Sequence, residues 1–246
     1  MCPANITEKE EIVDDHSCFH TPLSLAKLER QFSPVKMSEN YHCEELRIAL
    51  DRSNPANILP PPVPESHLIL DVGCGAGQTL LASYPGRIAY GVDVDIDALR
   101  MGRTLTSLVQ FTCARAEMLP YASKQFDMVL ARVSLPYTDL RRSLIEIRRV
   151  LRPSGVVWMT LHPFSFTWKE LKPRHYRSWL FFAYTVINSL TFAVFHKHFS
   201  LFGRYNSFQT RGGMRRALRK QGFTDIEIQT GRHFQVTARV PAQAEP

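Results

Sequence analysis

Leu68-Ile69-Leu70-Asp71-Val72-Gly73-Cys74-Gly75-Ala76-Gly77 runs from apolar residues through one acid into glycine at every second position. A short apolar run closed by glycines is how a buried strand ends in a tight turn against a ligand. Gln78-Thr79-Leu80-Leu81-Ala82 follows at once and predicts a helix, so that its first unpaired N–H groups face whatever the glycines admit. Without Cβ atoms at Gly73, Gly75 and Gly77 the backbone can approach a bound molecule to contact distance, and a nucleoside suits that arrangement.

Spacing decides which nucleoside. A dinucleotide fingerprint, G-x-G-x-x-G, needs its third glycine where this chain has Gln78. The pattern Asp71-x-Gly73-x-Gly75-x-Gly77, with the acid inside it, instead resembles motif I of the class I S-adenosylmethionine-dependent methyltransferases. A second strand over 88–92 ends at Asp93, about 20 residues past the first glycine, where an acid can accept hydrogen bonds from ribose hydroxyls.

From Leu68 onward strand and helix alternate as in a parallel sheet covered on both faces. The pattern predicts a helix over 96–108, strands over 109–113 and 126–131, a helix over 139–151, and a fifth strand over 155–161 after a Pro153-Ser154-Gly155 turn. Three short motifs extend the resemblance, in the order found in relatives of the quinone-biosynthesis methyltransferases: Ala116-Glu117-x-Leu119-Pro120, Phe126-Asp127-x-Val129, and Arg149-Val150-Leu151-Arg152-Pro153-Ser154-Gly155. Helix 213–220 with strands 224–229 and 234–240 is similar to the helix and antiparallel hairpin that close the class I sheet. The expected fold is therefore α/β: a Rossmann-like, seven-stranded, mostly parallel sheet with an antiparallel last strand. It carries an N-terminal helical cap and Pro-rich connector (1–64), a cofactor-binding core (65–162), an aromatic-rich insertion (163–210) and a closing segment (211–246).

The resemblance implies S-adenosyl-L-methionine as cofactor and a set of roles. Gly73, Cys74, Gly75 and Gly77 form the cofactor turn, Asp71 orients that turn or the amino group, and Asp93 binds the ribose. Val94 lines the adenine, Ala116 and Glu117 offer backbone groups to it, and Arg132 and Val133 lie beside the transferred methyl. Two positions depart from the family: Arg115 stands where an acid usually reaches the adenine amine, and Ser154 replaces the second glycine of a Pro-Gly-Gly turn. For a hydroxyl acceptor a base is useful; His162 at the end of the fifth strand is the best-placed histidine, with Tyr137 as the alternative, although His-Pro also serves as a structural strand stop. His16, His20 and His42 can reach the site from the cap. No metal set is expected, since the histidines lack paired zinc spacing and His196-x-His198 alone is weak.

A formal charge of +7 and basic clusters at 141–142, 148–149, 172–177 and 211–220 raise a nucleic-acid or anionic-membrane reading. Nucleic acid is not favoured. Arginines 141–152 alternate with Leu144, Ile145, Ile147 and Val150 as the solvated face of an amphipathic helix. Ala131-Arg132-Val133-Ser134-Leu135-Pro136-Tyr137 is also not the Asn/Asp-Pro-Pro-Tyr motif of base-amine methylation. The N-terminus lacks the basic and apolar regions of a signal peptide, and five scattered cysteines with no C-x-x-C pair read as reduced cytosolic thiols. Within the insertion, 179–195 holds no charge and is flanked by Arg174, Arg177 and Lys197, which leaves three readings: first a lid over the substrate site, then a surface resting peripherally on a membrane, or a dimer contact. The expected activity is SN2 methyl transfer to a small apolar or aromatic acceptor. A membrane-associated quinone or lipid methyltransferase, an RNA methyltransferase and a non-catalytic partner subunit stand as alternatives, and the oligomeric state is left open.

Overall fold

The computed structural model describes residues 34–170, 176–201, 205–231 and 233–242. Cys2, Cys18, His16, His20, Lys172 and Arg174, for which readings were given above, lie outside them.

Seven strands form one sheet in the order β3-β2-β1-β4-β5-β7-β6. They are β1 (Ile69–Val72), β2 (Ala89–Asp93), β3 (Val109–Cys113), β4 (Phe126–Arg132), β5 (Leu151–Leu161), β6 (Thr224–Thr230) and β7 (Phe234–Arg239). The first five pair in parallel and β7 runs antiparallel to both neighbours, as expected. All four residues of β1 are buried, which is why the strand reads as an unbroken apolar run rather than an alternating one. The order reverses between β1 and β4, so a crevice opens beyond the carboxyl ends of these strands.

The helices are α1 (Pro34–Leu50), α2 (Gln78–Ser83), α3 (Ile96–Leu105), α4 (Leu140–Val150), α5 (Phe164–Glu170), α6 (Tyr176–Phe195) and α7 (Arg211–Lys220). Asp95, Asp139 and Thr210 cap α3, α4 and α7 by accepting N–H groups of the first turn, each worth about 1 kcal/mol. The Pro-rich connector is held to the core by Arg87, whose guanidinium donates to the carbonyls of Val63, Pro64, Glu65 and His67.

Four details differ from the sequence reading. Helix α1 of the N-terminal cap runs from Pro34 through Leu50, beyond the start near Ser38 that the sequence suggests, and proline suits the first helical position. Helix α3 stops at Leu105, three residues early, where the Thr106 hydroxyl accepts the Leu108 N–H and offers the chain a local alternative to the helix. Pro153-Ser154-Gly155 is not a turn before β5 but a bulge inside it. Leu151 already pairs with Phe126, the next pair is Met128 with Val156, and the bulge is bonded to Val240 on the other side. In α4, Leu144, Ile147 and Val150 are buried, but Ile145 is exposed, and Arg149 is no solvated arginine: it pairs with Glu146 and donates to the carbonyls of Leu119 and Tyr121.

Candidate functional site

The glycine turn is strapped to β2. Val92 O accepts the N–H groups of Gly73 and Cys74 at 2.7 and 3.1 Å, and Asp93 Oδ2 accepts that of Gly75 at 2.8 Å. Asp93 Oδ1 takes the Asp95 N–H at 2.9 Å, so this carboxylate fixes two loops, and each oxygen keeps lone-pair capacity for a hydroxyl.

Why glycine is needed emerges from what surrounds it. Gly73, Gly75 and Gly77 all have φ in the left-handed region, at 75°, 54° and 83°. A Cβ on Gly73 would lie 2.1 Å from the Ser134 Cβ, one on Gly75 2.8 Å from the His42 ring, and one on Gly77 3.0 Å from Phe111. The missing side chains thus let the turn settle onto protein groups as well as leaving its backbone open to the cavity. Cys74 packs its thiol into the core beside Gly91, and burial pushes that thiol's pKa up, leaving its backbone for the site.

Asp71 is 1% exposed and neither carboxylate oxygen has a hydrogen-bond partner among the described residues. Burial raises its pKa to about 7; Arg132 opposes the rise and Asp93 adds to it. Arg132 compensates Asp71 only partly because its guanidinium is engaged elsewhere, on Glu45 of α1 at 2.5 Å and on the Thr79 hydroxyl at 3.1 Å. Val133, the next residue, has φ 58°, a conformation rare for a β-branched side chain, and its N–H is held by both oxygens of Thr160 on β5.

These groups line one cavity of about 860 Å³, inside the ~300–1,000 Å³ range of small-molecule sites. Gly73, Cys74, Gly75, Asp93, Val94, Ala116, Glu117, Arg132, Val133, Tyr137 and His162 all contribute to its wall; Asp71 and Gly77 stand behind it. The Glu117 carboxylate is committed to the Asp139 N–H at 2.9 Å, and the largely exposed Arg115 approaches it at 3.5 Å. At the far end the Tyr137 hydroxyl meets His162 Nε2 at 2.8 Å, and the rings cross at 79°. Burial lowers the His162 pKa to about 4, so the imidazole is neutral near pH 7. His42 also reaches the site, bonded to the Gln78 side chain at 2.8 Å, whereas His196 and His198 pack beside Phe192, away from it. Tyr41, Glu45 and Thr79 are wall residues that sequence reasoning missed; an acid 87 positions from its arginine carries no local signal.

Known proteins share the stretch that builds this crevice. The methyltransferase-domain family matches residues 70–159, the stretch from β1 to β5 that builds the crevice. Residues 70–159 are a class I methyltransferase domain. The methyltransferase domain is 38% identical over 96 residues to an uncharacterized methyltransferase, YodH, of Bacillus subtilis, covering 36% of this chain and 40% of that protein. It is 33% identical over 118 residues to a malonyl-[acyl-carrier protein] O-methyltransferase of Methylovorus sp., covering 42% of this chain and 39% of the other. The match thus spans about 40% of the length of these curated relatives. In fold, 76% of the chain superposes on the whole of a Methanosarcina mazei SAM-dependent methyltransferase at a TM-score of 0.51 and 17% identity. S-adenosylmethionine is the cofactor of such a domain, and the residues fit it: Asp71 is a buried carboxylate lacking a counter-charge of its own, and Asp93 can accept two hydroxyls.

Proposed function

We propose that this protein transfers the methyl group of S-adenosylmethionine to an oxygen of a small apolar or aromatic acceptor. What supports the reading is that one cavity joins a wall carrying the glycine turn and Asp93 to a Tyr137–His162 pair bonded at 2.8 Å. The cofactor supplies an already activated methyl on a sulfonium, so the chain's task is chiefly to align and desolvate a nucleophile. Asp93 holds the ribose, and the carboxylate of Asp71, buried behind the glycine turn, favours the cationic cofactor through its charge.

His162 accepts the proton that the acceptor oxygen gives up, directly or through the Tyr137 hydroxyl. Being neutral, it places no like charge beside a cationic cofactor, and its lowered pKa lets the proton pass onward to solvent. The name of the Methylovorus relative, an O-methyltransferase, supports oxygen as the acceptor atom. The apolar rings of α5 beside the cavity favour an apolar acceptor, a quinol or a phenol among them.

Labelled S-adenosylmethionine and a panel of phenols, quinols and carboxylic acids test the reading. Transfer is expected to one of these classes, with His162→Ala lowering kcat by about 10²–10⁴-fold at unchanged cofactor affinity. A protein that binds the cofactor and methylates no member of the panel overturns the oxygen-acceptor reading.

A further inference from the structure

We propose that α6 is a docking surface for an anionic lipid bilayer, on which it lies flat. The proposal stands without the transfer reading.

The helix is inverted. Thr185, Asn188 and Ser189 are buried: Thr185 donates back to Phe181 O within the helix, while Asn188 and Ser189 are tied to the chain's own loop; Thr191, on the other side, donates to Ile187 O. Asn188 donates to Asn206 O at 3.0 Å and accepts from Phe199 N–H at 2.8 Å, while the Ser189 hydroxyl accepts from Phe208 N–H at 2.9 Å. The opposite face is apolar and open, with Leu180 64%, Ile187 61%, Leu190 53%, Val194 61% and Phe195 67% exposed. A surface helix of a globular protein normally presents the reverse. Twenty residues give an apolar face about 30 Å long, too extensive for scattered exposed side chains.

Length and mean hydropathy, 1.5 over 178–195, would permit this helix to cross a membrane. The inward hydrogen bonds of Asn188 and Ser189 bind one side of it to the domain, so it rests in the interface instead.

Charge selects the occupant. Helix α7 packs against the C-terminal turn of α6, where Arg216 donates to Ala193 O at 2.5 Å. Arg216 and the exposed Lys220 of α7 lie by His196 at the end of α6, where Lys197 is also exposed, while Arg215 and Arg219 turn toward β6. An apolar face bordered by cations, free of any charge of its own, fits headgroups of negative charge. A second copy would set the same cationic border against itself. The inward side of α6 also reaches the rim of the cavity: Ser165 of α5 lines the cavity, and the neighbouring Phe164 and Trp168 rings lie 6.4 and 5.7 Å from Phe182 of α6.

Vesicle flotation with the full chain tests this, using phosphatidylcholine alone or with about one-third phosphatidylglycerol, beside light scattering in solution. The chain is expected to float with anionic vesicles and to bind neutral ones at least about tenfold more weakly, since each basic residue near the surface is worth about 1 kcal/mol. Ile187→Glu with Leu190→Glu is expected to abolish flotation while thermal melting and S-adenosylmethionine affinity stay unchanged; Leu180→Ser with Val194→Ser repeats the test more mildly. Failure to float with either vesicle overturns the proposal. So does flotation that survives the glutamates, and so does a solution dimer that the glutamates split, which would assign the face to a second copy.

Discussion

Replacing Asp71 by asparagine should make the cofactor-free protein more stable and a poorer binder, and the size of both effects follows from the burial of one carboxylate. Its pKa rises from the ordinary 3.8 to about 7, chiefly through burial. Between these values the folded chain holds a proton that the unfolded chain has released. The protonated carboxyl therefore favours folding fully below about pH 4, and that contribution is lost as pH climbs to about 7. The whole interval amounts to about 4 kcal/mol. Asparagine never ionises, but its amide is also buried, so the net gain of Asp71→Asn at pH 8 should be about 1–4 kcal/mol and should vanish near pH 4. Urea melts of both proteins at pH 4, 6 and 8 measure it. Binding moves the other way: removing the negative charge behind the glycine turn should weaken affinity for a cationic cofactor by roughly 10–100-fold. Below pH 7 the wild type should release up to about one proton on binding, seen as a buffer-dependent heat, and the variant none. A variant less stable than wild type at pH 8, or a stability difference that does not change with pH, would refute the reasoning.

Other substitutions probe the frame around the site. Arg87→Ala frees four carbonyls of the connector and should cost about 2–3 kcal/mol in urea unfolding. Ser154 sits at φ 62°, so Ser154→Gly should raise stability by about 0.5 kcal/mol, left-handed strain outweighing the added chain entropy. Gly73→Ala combines a φ of 75° with a 2.1 Å clash against Ser134 and should cost about 2–4 kcal/mol; adding Ser134→Gly should recover the clash but not the backbone strain.

Much of the cofactor side was legible because its signals are local. An acid followed by alternating glycines, and a second acid ending the next strand, lie within 23 residues, and sheet topology alone brings them together. His162 and Tyr137 were separate candidates at the ends of β5 and β4; parallel pairing of those strands makes them partners. The rest depends on distant packing. Glu45 reaches the site from a helix on the far side of a Pro-rich connector, so nothing near it announces its role, whereas His42 of the same helix is one of the cap histidines expected from the sequence to reach the site. The composition of 179–195 showed an apolar helix, but the inward turn of Asn188 and Ser189 depends on a loop ten or more residues away. The bulge at Ser154 was hidden because a turn signal and a bulge signal use the same residues.

Calorimetric titration of the purified full chain with S-adenosylmethionine, with Asp93→Ala alongside, tests the central claim most directly. The account predicts binding in the micromolar range that the variant loses, since it assigns the ribose to Asp93, which also holds the Gly75 turn. A folded wild-type chain that takes up no cofactor at any salt concentration would contradict it.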